Sequence, residues 1–354
     1  MSQHNLVFLL LSLIFTWAIQ ETSAQDVQLS VVPDQVYKIP DAGRLPTESF
    51  MFFVIVSDKQ RREGIRVLES KAELISAGSV VQSVLIPERA ASRFRLKTFT
   101  LPGDAPAHSL RRAYARDELF DIPFYFPNIP AGFNVDRVRI TLRLFLSDKT
   151  ESFFSKEVPV TLYQQRTRLI FPIRGPGIIT QGMWNNGGHA GYGNQYAIDL
   201  NGLTANYAAM LKDSEDLDAY ATWGREVIAP ADGEVVYARN DVPDNGPGVN
   251  PESIFAKLSE PMLAGAGNAV VISHGNSEYS VLMHMQKGSV KVTKGQSIKR
   301  GDVIGQIGNS GDSFGPHLHF QLQTGPELFR HPSVPVVFEN LNNNLSRGTY
   351  FDAK

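Results

Sequence analysis

The chain consists largely of short runs in which polar and apolar residues alternate, and this pattern limits its fold more than any other feature. In residues 137–146 the alternation is almost perfect, as expected for a strand with one face in a core and the other in water. Comparable runs lie at residues 27–39, 49–57, 66–86, 94–101, 120–126 and 153–163. Several short strands at this spacing, separated by Gly and Pro turns, predict an immunoglobulin-like β-sandwich over residues 25–165.

The second half of the chain, residues 166–340, is predicted to be a separate antiparallel β-domain, which makes the fold class all-β. Its short apolar runs, such as residues 226–237, are closed by glycine turns. Two insertions interrupt these runs: residues 205–223 have helical spacing, and residues 240–267 are rich in Pro and Gly before a short helical patch. Residues 341–354 are interpreted as a C-terminal tail.

Composition and the N-terminal residues limit where the protein works. The chain has no Cys, which excludes disulfides, thiolate metal sites and a cysteine nucleophile. A formal net charge of −2 without a basic stripe argues against nucleic acid as a partner. Residues 6–19 form an apolar run shorter than the ~20 residues of a membrane span, and small residues follow it at 22–24. Residues 1–24 are therefore predicted to be a signal peptide, or alternatively an uncleaved anchor. No later segment is long enough to span a membrane, so the mature chain is expected in the periplasm or outside the cell.

Four histidines and one aspartate of the second half lie in contexts that suit a metal site. His317 and His319 are separated by one apolar residue in a strand-like run, so both imidazoles project from one face. A glycine-rich loop presents His189, and Asp199 lies inside a short apolar strand, where a carboxylate needs a partner. His284 lies inside another apolar strand. Taken one at a time, each of these residues could equally be a structural polar group.

Together, these five residues match the chemistry of a hydrolytic zinc site. Such sites take three His or carboxylate ligands and keep one position open for water. His189, Asp199 and His319 supply such a set if the fold brings their segments together. The ion would lower the pKa of a water towards ~7 and polarise a carbonyl, and His284 and His317 remain to carry protons and to stabilise an oxyanion. The chain has no HExxH motif, which excludes a zincin helix.

The order of these motifs closely resembles the lysostaphin/LytM-type zinc metalloendopeptidases, a peptidoglycan-hydrolase family with a duplicated hybrid motif fold. The resemblance covers roughly residues 170–325. It rests on His189 and Asp199, on the strands Leu282-Met283-His284-Met285 and Gly315-Pro316-His317-Leu318-His319-Phe320, on an Ala-x-x-Asp-Gly-x-Val strand at residues 229–235 and on the glycine-rich residues 303–311. It implies a lysostaphin-type antiparallel β-domain that hydrolyses peptide bonds of bacterial peptidoglycan. It also implies that His189, Asp199 and His319 bind one Zn²⁺ ion and that His284 and His317 are catalytic.

Some features depart from the family pattern, and other functions remain open. Nine residues separate His189 from Asp199, more than in many members, and His274 lies close enough to His284 to compete for its role, although its surroundings predict a hairpin turn. The first alternative is a non-catalytic LytM-fold scaffold or an activator of another cell-wall hydrolase; all five candidate positions being filled argues against it. The second is a lipoyl or biotinyl carrier, because residues 290–305 have a similar hairpin rhythm, but the corresponding turn lacks the required Lys.

Overall fold

The computed structural model of the chain describes residues 27–41, 47–59, 64–95, 118–183, 189, 193–246, 248–341 and 345–354. The predicted signal peptide at residues 1–24 lies outside the described residues, as does most of the predicted run at residues 94–101. In the described part, strands far outnumber helices and form two large sheets, each with its own main hydrophobic core, which confirms the all-β class. Across these described residues, no helix has the length and apolarity needed to cross a membrane.

The first sheet has eight strands. Their bounds are β1 Val27–Val32, β2 Val36–Asp41, β3 Thr47–Asp58, β4 Arg66–Ser76, β5 Ser79–Pro87, β6 Glu118–Pro130, β7 Arg137–Phe145 and β8 Glu151–Thr161, and a single-turn helix, α1 Glu88–Ala91, follows β5. The strand order is β1-β3-β2-β8-β7-β4-β5, and β6 pairs with β3. On β7, Val138, Ile140 and Leu142 are buried while the residues between them are partly exposed, as the alternation predicts. Both halves of this strand order contribute to one core, as in a sandwich, and the specific immunoglobulin-like arrangement stays a prediction.

The second sheet has nine strands and holds the candidate site. Its strands are β9 Gly175–Gln181, β10 Ile198–Gly202, β12 Gly233–Ala238, β13 Asn268–Ser273, β14 Tyr279–Met285, β15 Ser297–Ile298, β17 Leu318–Gln323, β18 Ser333–Val334 and β19 Tyr350–Ala353. A separate two-stranded sheet pairs β11 Glu226–Ile228 with β16 Val303–Gln306. The large sheet runs β15-β12-β13-β14-β17-β10-β9-β19, with β18 beside β17. The antiparallel strand β17 therefore lies between β14 and β10, so these three strands present neighbouring side chains.

Two segments differ from the sequence-based expectation. The segment interpreted as a C-terminal tail contributes the edge strand β19, because Phe351 is buried and its ring centroid lies 4.6 Å from that of Phe171. The insertion at residues 205–223 contains no α-helix, only a 3₁₀ turn at Leu217–Ala219. Its backbone instead folds back on itself, as the bridge between Met210 and Tyr220 shows, so local tertiary pairing overrides the helical spacing.

The second insertion contains the predicted short helical patch. Helix α2 covers Glu252–Phe255 and helix α3 covers Pro261–Ala264. Both are single turns, and the segment around them returns to the start of β13. The expectation for residues 240–267 is therefore confirmed.

A buried carboxylate of the second sheet binds the chain segment that follows the last strand of the first sheet. Glu278, at the β13–β14 turn, accepts hydrogen bonds from the Tyr163 hydroxyl and from the backbone N–H groups of Arg166 and Thr167. Ile39 of β2 also packs into the core of the second sheet. The chain segment that joins the two sheets is therefore fixed by hydrogen bonds to the second one.

Candidate metal centre

Strand register brings the predicted site residues to one place. In the β10–β17 pair Asp199 lies opposite His319, and in the β14–β17 pair His319 lies opposite Met283, the neighbour of His284. His317 immediately precedes β17, and His189 comes from the connection between β9 and β10. Residues far apart in the chain thus meet because three antiparallel strands are adjacent.

His189, Asp199 and His319 form the tightest part of this cluster. Asp199 Oδ1 lies 3.2 Å from His189 Nε2 and 3.1 Å from His319 Nδ1. One ligand atom from each of the three residues lies within 4.8 Å of the other two. Both histidines are buried, so water competes poorly for these atoms.

His284 and His317 lie beside this triad with their ring centroids 4.8 Å apart. The Nδ1 atom of His284 is 2.8 Å from the carbonyl oxygen of Ser310, and that of His317 is 2.9 Å from the carbonyl oxygen of Gly315. Since a carbonyl oxygen only accepts hydrogen bonds, each Nδ1 carries the proton. In a neutral ring the free lone pair is then on Nε2, and Nε2 of His317 lies 3.6 Å from Asp199 Oδ1.

The backbone of His284 departs from regular strand geometry. His284 has φ of 65°, in the left-handed region that is uncommon for residues other than Gly. Its N–H donates to the carbonyl of Ala266, and its own carbonyl accepts from the N–H of Gly308. These bonds hold a strained conformation at a candidate functional residue, where such strain often occurs.

Burial and neighbouring charges set the protonation of the cluster. Burial alone would raise the pKa of Asp199, but the imidazoles of His189 and His317 outweigh it and hold that pKa well below its usual value. Burial lowers the pKa of His189, although Asp199 opposes the shift. Burial also lowers the pKa of His284 to well below its usual value, and His317 and His319 add to this effect. At pH 7 the site therefore contains a carboxylate and at least two neutral imidazoles, which are the forms that bind metal ions.

The donor atoms fit a divalent cation. His189 Nδ1 is buried and has no hydrogen-bond partner among the described residues, while Nε2 of the same ring faces Asp199. If Nε2 carries the proton of the neutral ring, the lone pair on Nδ1 is unsatisfied. If Nδ1 carries it, a lone pair on Nε2 faces a carboxylate, which is unfavourable without a cation between them. Two imidazoles and one carboxylate, converging on one point, are the ligand set of hydrolytic zinc sites.

The other histidine near this part of the sequence lies outside the cluster. His274 places Nδ1 at 2.8 Å from the carbonyl oxygen of Asp232 and Nε2 at 2.8 Å from the Ser280 hydroxyl. Both ring nitrogens are thus engaged at the β13–β14 turn, as the predicted hairpin suggested. The competing assignment of His274 is not supported by its position.

Sequence reasoning missed the groups that orient the histidines. The carbonyl oxygens of Ser310 and Gly315 have no side-chain signature, so only the structure reveals them. Gln321 accepts a hydrogen bond from His319 Nε2 at 3.0 Å, and its signal in the sequence was a polar residue two positions after His319 on the same strand.

Comparison with known proteins assigns part of the chain to a family. Residues 211–330 match Peptidase family M23. This match includes His284, His317 and His319 but begins after His189 and Asp199. In the structure these two residues lie with His319.

Three curated relatives match the chain over short stretches. An uncharacterized metalloprotease of Haemophilus influenzae is 33% identical over 112 residues, which are 32% of this chain and 19% of the relative. The peptidoglycan DD-endopeptidase ShyA of Vibrio cholerae is 49% identical over 57 residues, 16% of this chain and 13% of the relative. The murein hydrolase activator NlpD of Salmonella typhimurium is 27% identical over 118 residues, 33% of this chain and 25% of the relative. The chain thus spans at most 25% of the length of these relatives. The family match, with peptidoglycan endopeptidases among the relatives, shows that the chain contains a Peptidase family M23 domain at residues 211–330.

Proposed function

We propose that the chain is an exported, zinc-dependent endopeptidase that hydrolyses peptide bonds of bacterial peptidoglycan. One observation carries this proposal. Ligand atoms of His189, Asp199 and His319 lie within 4.8 Å of one another, and two further imidazoles with oriented lone pairs lie beside them. A purely structural cluster does not require five such groups at one buried point. The predicted signal peptide supports export to the periplasm or the cell exterior.

His189, Asp199 and His319 would hold the ion. When bound, Zn²⁺ supplies a Lewis acid that lowers the pKa of a water and polarises a peptide carbonyl. Asp199 contributes the only negative charge among the three side chains, and its low pKa keeps that charge present down to acidic pH. The burial of both histidines keeps competing solvent away from the ligand atoms.

His284 and His317 are the groups that would move protons. Backbone carbonyls hold the proton of each ring on Nδ1, so Nε2 is the atom that accepts a proton in the site. The pKa of His284 lies well below its usual value, which keeps its Nε2 free to accept at neutral pH. A proton taken from the attacking water can then pass to the leaving peptide nitrogen, and the second ring can donate to the oxyanion when it is protonated.

The relatives support the proposed substrate class. Endopeptidases that act on peptidoglycan are among them, and their similarity to this chain supports peptidoglycan peptides as the substrate. A non-catalytic activator of another cell-wall hydrolase is the second candidate, because a murein hydrolase activator is also among the relatives.

Digestion of purified peptidoglycan separates the two candidates. We expect the mature chain to release peptides with new termini, as detected by mass spectrometry. A chelator should stop the release and added Zn²⁺ should restore it. The control is His317→Ala, which should bind the ion but release peptides at least about 10²-fold more slowly. If the zinc-loaded parent releases no peptides but increases release by a second hydrolase, the endopeptidase proposal is wrong and the activator is favoured.

A further inference from the structure

Two glutamines follow His319 on the same face of β17. Gln321 and Gln323 lie two and four residues after His319, so all three side chains project in the same direction. Their exposed fractions are 5%, 2% and 0%, in chain order from His319 to Gln323. Polar groups buried to this extent must satisfy one another, and here they form a continuous series of hydrogen bonds that we call the glutamine ladder.

Backbone carbonyls at the far end determine the direction of every bond in the ladder. The side-chain nitrogen of Gln323 lies 2.6 Å from the carbonyl oxygen of Gly325 and 3.2 Å from that of Glu327. Because carbonyl oxygens only accept, this atom must be the NH₂ group, and the Gln323 side-chain oxygen must face the other way. That oxygen accepts from Gln321 Nε2 at 2.8 Å, and the same Nε2 donates to the carbonyl of Gly193 at 2.9 Å.

The last bond of the ladder reaches His319. The only atom of the Gln321 amide left for His319 is its oxygen, which lies 3.0 Å from His319 Nε2. A hydrogen bond to this oxygen requires a proton on Nε2, so the lone pair of the neutral ring is on Nδ1. Nδ1 is the atom that lies 3.1 Å from Asp199 Oδ1.

Without the ladder, Asp199 would favour the opposite tautomer. A carboxylate at this distance attracts a proton to Nδ1, where it would form a charge-assisted hydrogen bond. That proton would occupy the nitrogen that faces Asp199, the carboxylate ligand. The ladder opposes this transfer, because moving the proton to Nδ1 leaves the buried Gln321 oxygen without a donor.

We propose that Gln321, held by Gln323, is a positioning residue that keeps the His319 proton on Nε2 and so keeps Nδ1 free to bind the metal ion. The metal step rests on the proposed function, whereas the tautomer does not. Partners that orient the second nitrogen of a metal-binding histidine typically contribute 10- to 100-fold to metal affinity. Gln321 has a second effect that must be separated from the first, because its bond to Gly193 also holds the connection that follows His189.

The experiment compares three variants of the full mature chain. Gln321→Met keeps the side-chain length but removes the acceptor. Gln321→Glu keeps an acceptor for His319 Nε2 but cannot donate to Gly193. Ser333→Ala is the matched control, because the Ser333 hydroxyl accepts from the N–H of Tyr196 in the same connection and does not touch His319.

Two measurements are made on each variant. Long-range ¹H–¹⁵N correlation NMR of the metal-free chain with labelled histidine reports which ring nitrogen of His319 carries the proton, and loss of the signals in His319→Ala identifies them. Competition with a chelating dye at pH 7.5 gives the Zn²⁺ affinity. We expect Nε2–H in the parent, in Gln321→Glu and in Ser333→Ala, with affinities within about threefold of each other. Gln321→Met should shift the proton towards Nδ1 and weaken Zn²⁺ binding by roughly 10- to 100-fold.

Two results would overturn the inference. One is an unchanged His319 tautomer and parental Zn²⁺ affinity in Gln321→Met. The other is an equal loss of affinity in Gln321→Glu or Ser333→Ala, which would assign the effect to the loosened connection. A parent chain that binds no Zn²⁺ would instead contradict the proposed function, and the NMR measurement on the metal-free chain would still test the ladder.

Discussion

Replacement of Glu278 by Gln is expected to lower the free energy of unfolding by about 2–4 kcal/mol at pH 7. Glu278 is 1% exposed, and its carboxylate accepts from the Tyr163 hydroxyl at 2.9 Å and from the N–H groups of Arg166 at 2.8 Å and Thr167 at 2.7 Å. Both carboxylate oxygens are used, so the NH₂ group of Gln must face at least one of these donors. A lost hydrogen bond to a charged group costs about 1.5–3 kcal/mol and an unsatisfied buried donor about 1–3 kcal/mol, and these two costs partly overlap.

The effect of this substitution should depend on pH. Burial alone would raise the pKa of Glu278, but its hydrogen bonds outweigh burial and hold the pKa below its usual value of 4.5. A carboxylate whose pKa is lower in the folded state stabilises the fold at pH values above the unfolded pKa and loses this contribution as the pH falls through the folded value. The difference between Glu278→Gln and the parent should therefore be full at pH 7 and shrink below about pH 4.

Urea unfolding at pH 7 and at pH 3.5 measures both effects. The control is Glu234→Gln, which removes an exposed carboxylate from the neighbouring strand β12 and should change the free energy of unfolding by less than about 0.5 kcal/mol. If Glu278→Gln matches this control at pH 7, or if its cost grows as the pH falls, then the Glu278 carboxylate does not stabilise the segment that joins the two sheets.

Three further substitutions test the site and the sheet around it. His317→Ala should retain Zn²⁺ but lose at least about 10²-fold in turnover, as measured by peptide release, because a proton-transfer group is lost; parental turnover would exclude this role. Gly308→Ala would press a Cβ against the backbone of Gln286 and should lower the free energy of unfolding by about 1–3 kcal/mol, as measured by thermal unfolding. Gly315→Ala, which has open space around its Cβ, should cost much less, and equal costs would refute the steric explanation. Phe351→Ala should cost about 3–5 kcal/mol as a buried residue of β19. Tyr350→Ala, at 61% exposure, should change stability little, and equal effects would mean that β19 does not contribute to the core.

Local patterns in the sequence predicted much of the fold. The alternation at residues 137–146 identified β7. The spacing of His317 and His319 predicted a strand at the candidate site, and β17 begins at Leu318, one residue after His317. The helical spacing at residues 205–223 indicated a helix that the structure does not contain. Backbone pairing between the two ends of that segment outweighs weak helix propensity. β19 was missed because an isolated four-residue strand has no periodic signal and exists only beside β9.

The sequence indicated which residues form the candidate site but not the distances between them. Residue types and family resemblance selected all five side chains that the structure brings together. Their distances depend on the register between β10 and β17, whose residues are about 120 positions apart in the chain, and no local pattern encodes that register. The left-handed backbone at His284 and the carbonyl groups that orient two of the rings are likewise products of tertiary packing.

The metal content of the purified chain tests most directly whether His189, Asp199 and His319 form one metal site. Elemental analysis after equilibration with Zn²⁺ and gel filtration should find about one ion per chain in the parent. The same value is expected for the control His274→Ala, whose ring lies outside the cluster. Replacement of His189, Asp199 or His319 by Ala should each remove the ion. Retention of a full equivalent of Zn²⁺ in any one of these three variants would contradict the assignment of that residue as a ligand.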